Sequence, residues 1–221
     1  MSVAWALLRK DLATELRSRD RLVAMLVFSL LVIVVFQFAW PPMESKEMLR
    51  FAPGVLWVTY VFAAVIGLGR TFAMELENDA MTALALAPGT RGWIFLGKAG
   101  ATWVLITTVQ AMTALVFSLF FRVDLWLGFG GSALIVALAN VSICSVGTLL
   151  SAMSVRSRFR DVLLPILLLP TLIPVLTAAV RGSAATFAGE AVPFDAMQLL
   201  IVIGGVYLIL CFLLFEYVLD E

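Results

Sequence analysis

The sequence predicts an all-α integral membrane protein with six transmembrane helices, an N-terminal interfacial helix and a helical cytoplasmic loop. Three observations predict it. First, 62% of the 221 residues are hydrophobic and only 14% are charged, against about 45–50% and about 25% in soluble domains. Second, the apolar residues gather into six runs at 22–40, 53–73, 99–121, 128–153, 162–180 and 198–219. Each is near the roughly 20 residues that cross a hydrocarbon core as a helix. Third, the basic residues sit unevenly between those runs, as they do in multi-pass proteins.

The runs use more than half of the chain, so residues 1–221 read as a single transmembrane domain. With the N-terminus inside, eleven of the fifteen basic residues face the cytoplasm: Arg9, Lys10, Arg17, Arg19, Arg21, Arg70, Arg91, Lys98, Arg156, Arg158 and Arg160. Only Lys46, Arg50, Arg122 and Arg181 fall outside. The positive-inside rule therefore puts both termini in the cytoplasm. Trp40, Trp57 and Trp126 then fall at the outer interface and Trp5 and Trp93 at the inner one, as an aromatic belt requires. The first run starts well inside the chain and no small-residue cleavage pattern follows it, so no signal peptide is expected.

Composition also excludes whole classes of function. Net charge is zero, with fifteen acids against fifteen bases, which rules out nucleic-acid binding by bulk charge. There is no histidine, which removes the usual general base, the commonest metal ligand and the commonest haem axial ligand. Cys144 and Cys211 stand alone in apolar runs and read as small buried hydrophobes. No run carries a paired carboxylate, a Ser/His pair or a metal cluster, so no catalytic and no metal-binding residues are expected.

Taken in order, residues 2–21 are too polar to span. Trp5, Leu8, Leu12 and Leu16 recur at helical spacing, so one side of this helix can lie on the membrane with its basic residues among headgroups. It reads either as a plain anchor or as an elbow helix that also touches a cytoplasmic partner. Between the second and third runs, residues 75–88 open with Glu75, Glu77 and Asp79. They continue through Met81, Leu84 and Leu86 and stop at Pro88-Gly89, with Arg91 just beyond. Acids at the start and Pro-Gly at the end are helix boundaries. A loop this long with a helix of its own suits docking in a groove on a partner, or capping the bundle as an interfacial helix.

Gly92-Trp93-Ile94-Phe95-Leu96-Gly97-Lys98-Ala99 has the spacing of a phosphate-binding loop except at its last position. That position needs a magnesium-binding hydroxyl, and no strand precedes the segment. It is rejected, so any ATP must be bound by another chain. Arg156, Arg158, Arg160 and Asp161 form a short basic loop, explained by topology alone or as a second cytoplasmic contact. The fifth run carries Pro165, Pro170 and Pro174, each removing a backbone donor, which suggests a bent helix. Asn140, Cys144, Thr148 and Ser151 share one face of the fourth run, Thr107, Thr108 and Gln110 lie in the third, and Ala63 and Gly67 form a small pair in the second. Helix–helix hydrogen bonding and close packing account for these.

Six runs, an amphipathic first helix and a helical first cytoplasmic loop resemble the type-2 ABC exporter permease architecture. Three segments narrow the resemblance: FAPGVLWV at 51–58, ELENDAMTALALAP at 75–88 with FLGKA up to Ala99, and RDVLLPILLLPTLIPVL at 160–176. They resemble the haem exporter protein B (CcmB) family, the permease subunit of the bacterial cytochrome c maturation ABC complex, over nearly the whole chain. The sequence departs from that family's pattern at Asp79 and Thr82, where glycine and glutamate are common. The resemblance implies a bacterial inner-membrane location, an ATPase partner (CcmA) that holds ATP and magnesium and grips Glu75, Glu77, Asp79, Met81, Leu84, Pro88 and Arg91, and haem-handling partners CcmC and CcmD. It further implies two copies of the chain, haem as cargo and no cofactor bound by this chain. Alternatives are an exporter of another substrate, or a scaffold in which ATP use releases a haem-loaded chaperone without haem crossing the membrane.

Overall fold

The computed structural model describes residues 3–39, 45–72, 91–124, 128–155, 157 and 159–218; side chains at 45, 46, 160 and 161 are outside that description. The described residues form helices α1 (Val3–Ser18), α2 (Asp20–Ala39), α3 (Ser45–Gly69), α4 (Arg91–Phe121), α5 (Phe129–Ser154), α6 (Arg160–Phe187) and α7 (Phe194–Val218). Six of them, α2 to α7, are long and apolar enough to cross a membrane.

The helices outrun several of the apolar runs, for reasons of packing. In the first turns of α4, Gly92 and Gly97 let neighbouring helices close onto it. A Cβ on Gly92 would lie 2.4 Å from the Phe212 ring of α7, and one on Gly97 would lie 2.7 Å from the Ala4 carbonyl of α1. α6 continues to Phe187 because its last turns seal the far end of the bundle. There Ser132 donates to Thr186 Oγ1 at 2.9 Å, and a Cβ on Gly128 would meet the Thr186 carbonyl at 2.6 Å.

The bundle centre is built by α3, α4 and α5. α1 lies on α4, α2 lies against α3 and α4, and α6 and α7 pack on α5 and on each other. α3 and α5 are mostly buried, while α2 and α7 turn most of their surface outward. That outward surface is apolar, including Val27, Leu31 and Phe38 on α2 and Val202, Ile209 and Leu213 on α7. Such a surface is stable only against lipid or another apolar chain.

Polar side chains knit the centre together. Asn140 of α5 donates to Thr107 Oγ1 at 2.9 Å and to Gln110 Oε1 at 2.6 Å on α4. Ser151 donates to the Leu68 carbonyl at 2.6 Å, and Tyr60 to the Gln110 carbonyl at 3.1 Å. A Cβ on Gly67 would fall 2.7 Å from Met25 Sδ, so this small residue seats α2 on α3. Thr108, by contrast, is exposed and donates only to the Val104 carbonyl of its own helix.

One expectation is corrected. Trp57 is not an interfacial belt residue: it is 1% exposed, donates its indole N–H to Ser183 Oγ at 2.9 Å and meets Tyr60 edge-on at 5.5 Å. An indole that finds a buried acceptor gains nothing from the interface. Trp5 and Trp93 are about half exposed. Trp40 and Trp126 lie outside the described residues.

Candidate functional site

At the end of the bundle where α1 lies, four charged side chains converge in the interior. The cluster begins with the α1–α2 junction. Arg19, the single residue between the two helices, has φ 59°, and its N–H bonds the Glu15 carbonyl at 2.7 Å. This is the left-handed termination that closes a helix and redirects the chain. The reversal brings the Glu15 side chain to the start of α2, where its Oε1 accepts from the Leu22 N–H at 3.1 Å and its Oε2 lies 3.1 Å from Arg21 Nε. Glu15 thus satisfies one of the free amides at the N-terminus of α2 and neutralises Arg21. Glu15 is 7% exposed and Arg21 9%.

One turn back, Asp11 faces α4. Its Oδ2 lies 3.0 Å from Lys98 Nζ, and its Oδ1 lies 3.3 Å from Lys10 Nζ. Lys98 is 1% exposed, although it stands on a helix of apolar residues. Gly97 and Gly100 make this approach possible, since a Cβ at either would press on Ala4, Leu7 or Leu8 of α1.

Both cations also reach the end of α3. Lys98 Nζ donates to the Thr71 carbonyl at 3.3 Å and sits 5.1 Å from the centre of the Phe72 ring. Arg21 Nη1 donates to the Gly67 carbonyl at 3.4 Å and to Thr71 Oγ1 at 3.5 Å. Cations at the C-terminal end of a helix complement its partial negative charge. Phe72 is buried against Phe215 of α7, ring centres 6.3 Å apart, and Phe95 of α4 meets the same ring at 5.5 Å. At the start of α4, Arg91 Nη1 donates to the Glu216 carbonyl at 3.1 Å, near the C-terminal end of α7.

This cluster was not expected from the sequence. The stripe Trp5, Leu8, Leu12 and Leu16 divides, with Trp5 and Leu16 exposed and Leu8 packed on α4 beside Gly100. The inward face of α1 runs instead through Ala4, Leu7, Leu8, Asp11 and Glu15. The signal available was the i, i+4 pair of acids on that face together with a lysine isolated in an apolar run. The segment with phosphate-loop spacing has its own account: its glycines and lysine are the seat of α1.

Of the residues expected to contact an ATPase, Arg91 is on α4 beside α7, and Glu75, Glu77, Asp79, Met81, Leu84 and Pro88 lie outside the described residues. Arg156 and Arg158 also lie outside them, and Arg160 and Asp161 open α6 with undescribed side chains. Pro165, Pro170 and Pro174 all lie within α6, which continues through them. Hydroxyls flank these steps: Tyr207 of α7 donates to the Thr171 carbonyl at 2.8 Å, and Thr177 to the Pro174 carbonyl at 2.9 Å. Among the described residues, no three His, Cys, Asp or Glu side chains come together as metal ligands would. The charged cluster itself is built to hold helices in place: each carboxylate has a cation beside it, and each cation a helix end.

Comparison with known proteins adds a family match. The family described as "CcmB protein" matches residues 2–215. The chain is 30% identical over 187 residues to "Heme exporter protein B" of Paracoccus denitrificans, covering 81% of this chain and 83% of that protein. It is 28% identical over 175 residues to the protein of the same name in Rhodobacter capsulatus, covering 77% and 78%. With the Haemophilus influenzae protein, also "Heme exporter protein B", it shares 28% over 192 residues, covering 85% and 83%.

Proposed function

The chain belongs to the CcmB family, and from that premise we propose that it is a membrane component of a haem export system. The match over residues 2–215, on a bundle of six membrane-length helices, carries this reading. In it the chain is a transporter subunit and not an enzyme. It lies in the bacterial inner membrane with the α1 end in the cytoplasm, and it serves haem delivery for c-type cytochrome biogenesis.

Energy comes from a partner ATPase that holds ATP and magnesium. The segment 75–88 is the element that partner grips, through Glu75, Glu77, Asp79, Met81, Leu84 and Pro88, with Arg91 at its far root. Its sequence supports this role, as an acid-led helix ended by Pro-Gly in a long loop. Arg156, Arg158, Arg160 and Asp161 make the second contact. CcmA-like, CcmC-like and CcmD-like subunits and a second copy of this chain complete the complex. If haem crosses here, it does so without imidazole ligation from this subunit, which has no histidine.

Leu84→Arg tests the coupling role. The expected result is a protein present in the membrane at normal levels, with ATP hydrolysis on the partner no longer supporting cytochrome c assembly. Normal assembly in that variant would refute the role of 75–88. ATP-dependent haem accumulation in vesicles reconstituted with the complex would exclude the scaffold alternative.

A further inference from the structure

An amphipathic anchor needs an apolar face toward lipid and cations toward headgroups. It has no need of carboxylates turned into the bundle. α1 carries two, and each meets a cation that is itself at least nine-tenths buried: Asp11 with Lys98 at 3.0 Å and Glu15 with Arg21 at 3.1 Å. Each of these cations has its other partner on one short stretch at the end of α3, between Gly67 and Phe72. The two arrangements are separate in the chain and alike in design, with an acid from α1, a buried cation and a backbone carbonyl at the end of α3.

We propose that Asp11 and Glu15 are positioning residues, which through Lys98 and Arg21 fix the Gly67–Phe72 stretch from which the chain enters the segment carrying 75–88. The proposal rests on the reading of 75–88 as the contact with the ATPase. If α1 lifts from α4, Lys98 is left in the interior without its counter-ion, which is strongly unfavourable. α1 and the end of α3 therefore hold their positions together. Phe72 extends the constraint to α7 by packing on Phe215, and Arg91 ties the other root of the segment to the same helix. Force applied at 75–88 then reaches α1, α2, α4 and α7 together, and not α3 alone.

The test uses the whole complex with its ATPase subunit in nanodiscs, read by ATP turnover and by cytochrome c yield in cells. Asp11→Asn should leave the subunit ratio and the KM for ATP unchanged, since the nucleotide site is on another chain. It should lower kcat by about tenfold, in the range typical of coupling between sites. Asp11→Glu, and the exchanged pair Asp11→Lys with Lys98→Asp, should restore most of that loss. Unchanged kcat in Asp11→Asn would overturn the proposal. So would a loss that neither restoring variant repairs and that tracks the amount of protein, because α1 would then serve only stability. Should Asp11→Asn fail to accumulate, Lys98→Arg keeps the charge, alters the donor geometry and is read by the same criteria. Leu84→Arg separates this proposal from the function beneath it. If Leu84→Arg uncouples and Asp11→Asn does not, only the positioning role falls. If Leu84→Arg has no effect, the coupling role of 75–88 falls and the positioning role with it.

Discussion

Arg19 and Arg122 both adopt left-handed backbone conformations, at φ 59° and 53°, each immediately after the end of a helix. Side-chain-bearing residues reach that region at a cost of about 1–2 kcal/mol, so the turn at Arg19 is held by what it brings together. Glu15 at the head of α2 is the gain. Gly97 is the matching case on α4. A methyl group there would lie 2.7 Å from the Ala4 carbonyl, which is backbone and cannot swing aside. Gly97→Ala should therefore cost about 1–3 kcal/mol, as overpacking of a filled interior does. Hydrogen exchange should localise the loosening to α1. Gly205→Ala, where the added methyl meets nothing within 4 Å, is the neutral control. The close approach at Gly97 is not visible in the sequence, because it depends on Ala4, in a helix far along the chain.

Among the elements, α5 is the one the rest are built around, and its polar face shows why. In lipid a polar group has no water to turn to, so the Asn140 side-chain N–H groups are taken up by Gln110 Oε1 and Thr107 Oγ1, while Asn140 Oδ1 and Gln110 Nε2 find no hydrogen-bond partner among the described residues. Asn140→Leu should destabilise the bundle by about 1–2 kcal/mol, the upper range for interhelical hydrogen bonds in membranes. Unfolding in mixed detergent micelles would measure it, and Thr107→Val should cost less because Gln110 remains as acceptor. The one-face alignment of Asn140, Cys144, Thr148 and Ser151 was legible from spacing alone, since all four are buried. The partners were not legible, because helical period gives a direction without naming the neighbour. In α6, Pro165, Pro170 and Pro174, read from the sequence as bending a helix, all fall inside one helix that runs from Arg160 to Phe187.

At the scale of the whole molecule, hydropathy carried most of the fold. Six apolar runs became six helices of membrane length, because the bilayer requires that backbone polar groups be satisfied within each segment. The charged cluster escaped that reading because Arg21 and Lys98 look like ordinary inside charges at run boundaries, and only the packing of α1 takes them out of water. They remain on the side with the basic excess, so the proposed orientation is unaffected. A fluorescent protein that matures only in the cytoplasm should be bright when fused after Glu221, and dark when inserted at Glu190, in the connection between α6 and α7. The opposite pattern would reverse the topology.

The two ion pairs also differ in when they can form. Glu15 and Arg21 are close neighbours in the chain and can meet as soon as α2 enters the bilayer. Asp11 must wait until α2 and α3 are in place and α4 arrives with Lys98. During synthesis α1 is thus secured at one end early and at the other late. Its final seating on α4 marks the moment at which the first half of the protein is assembled.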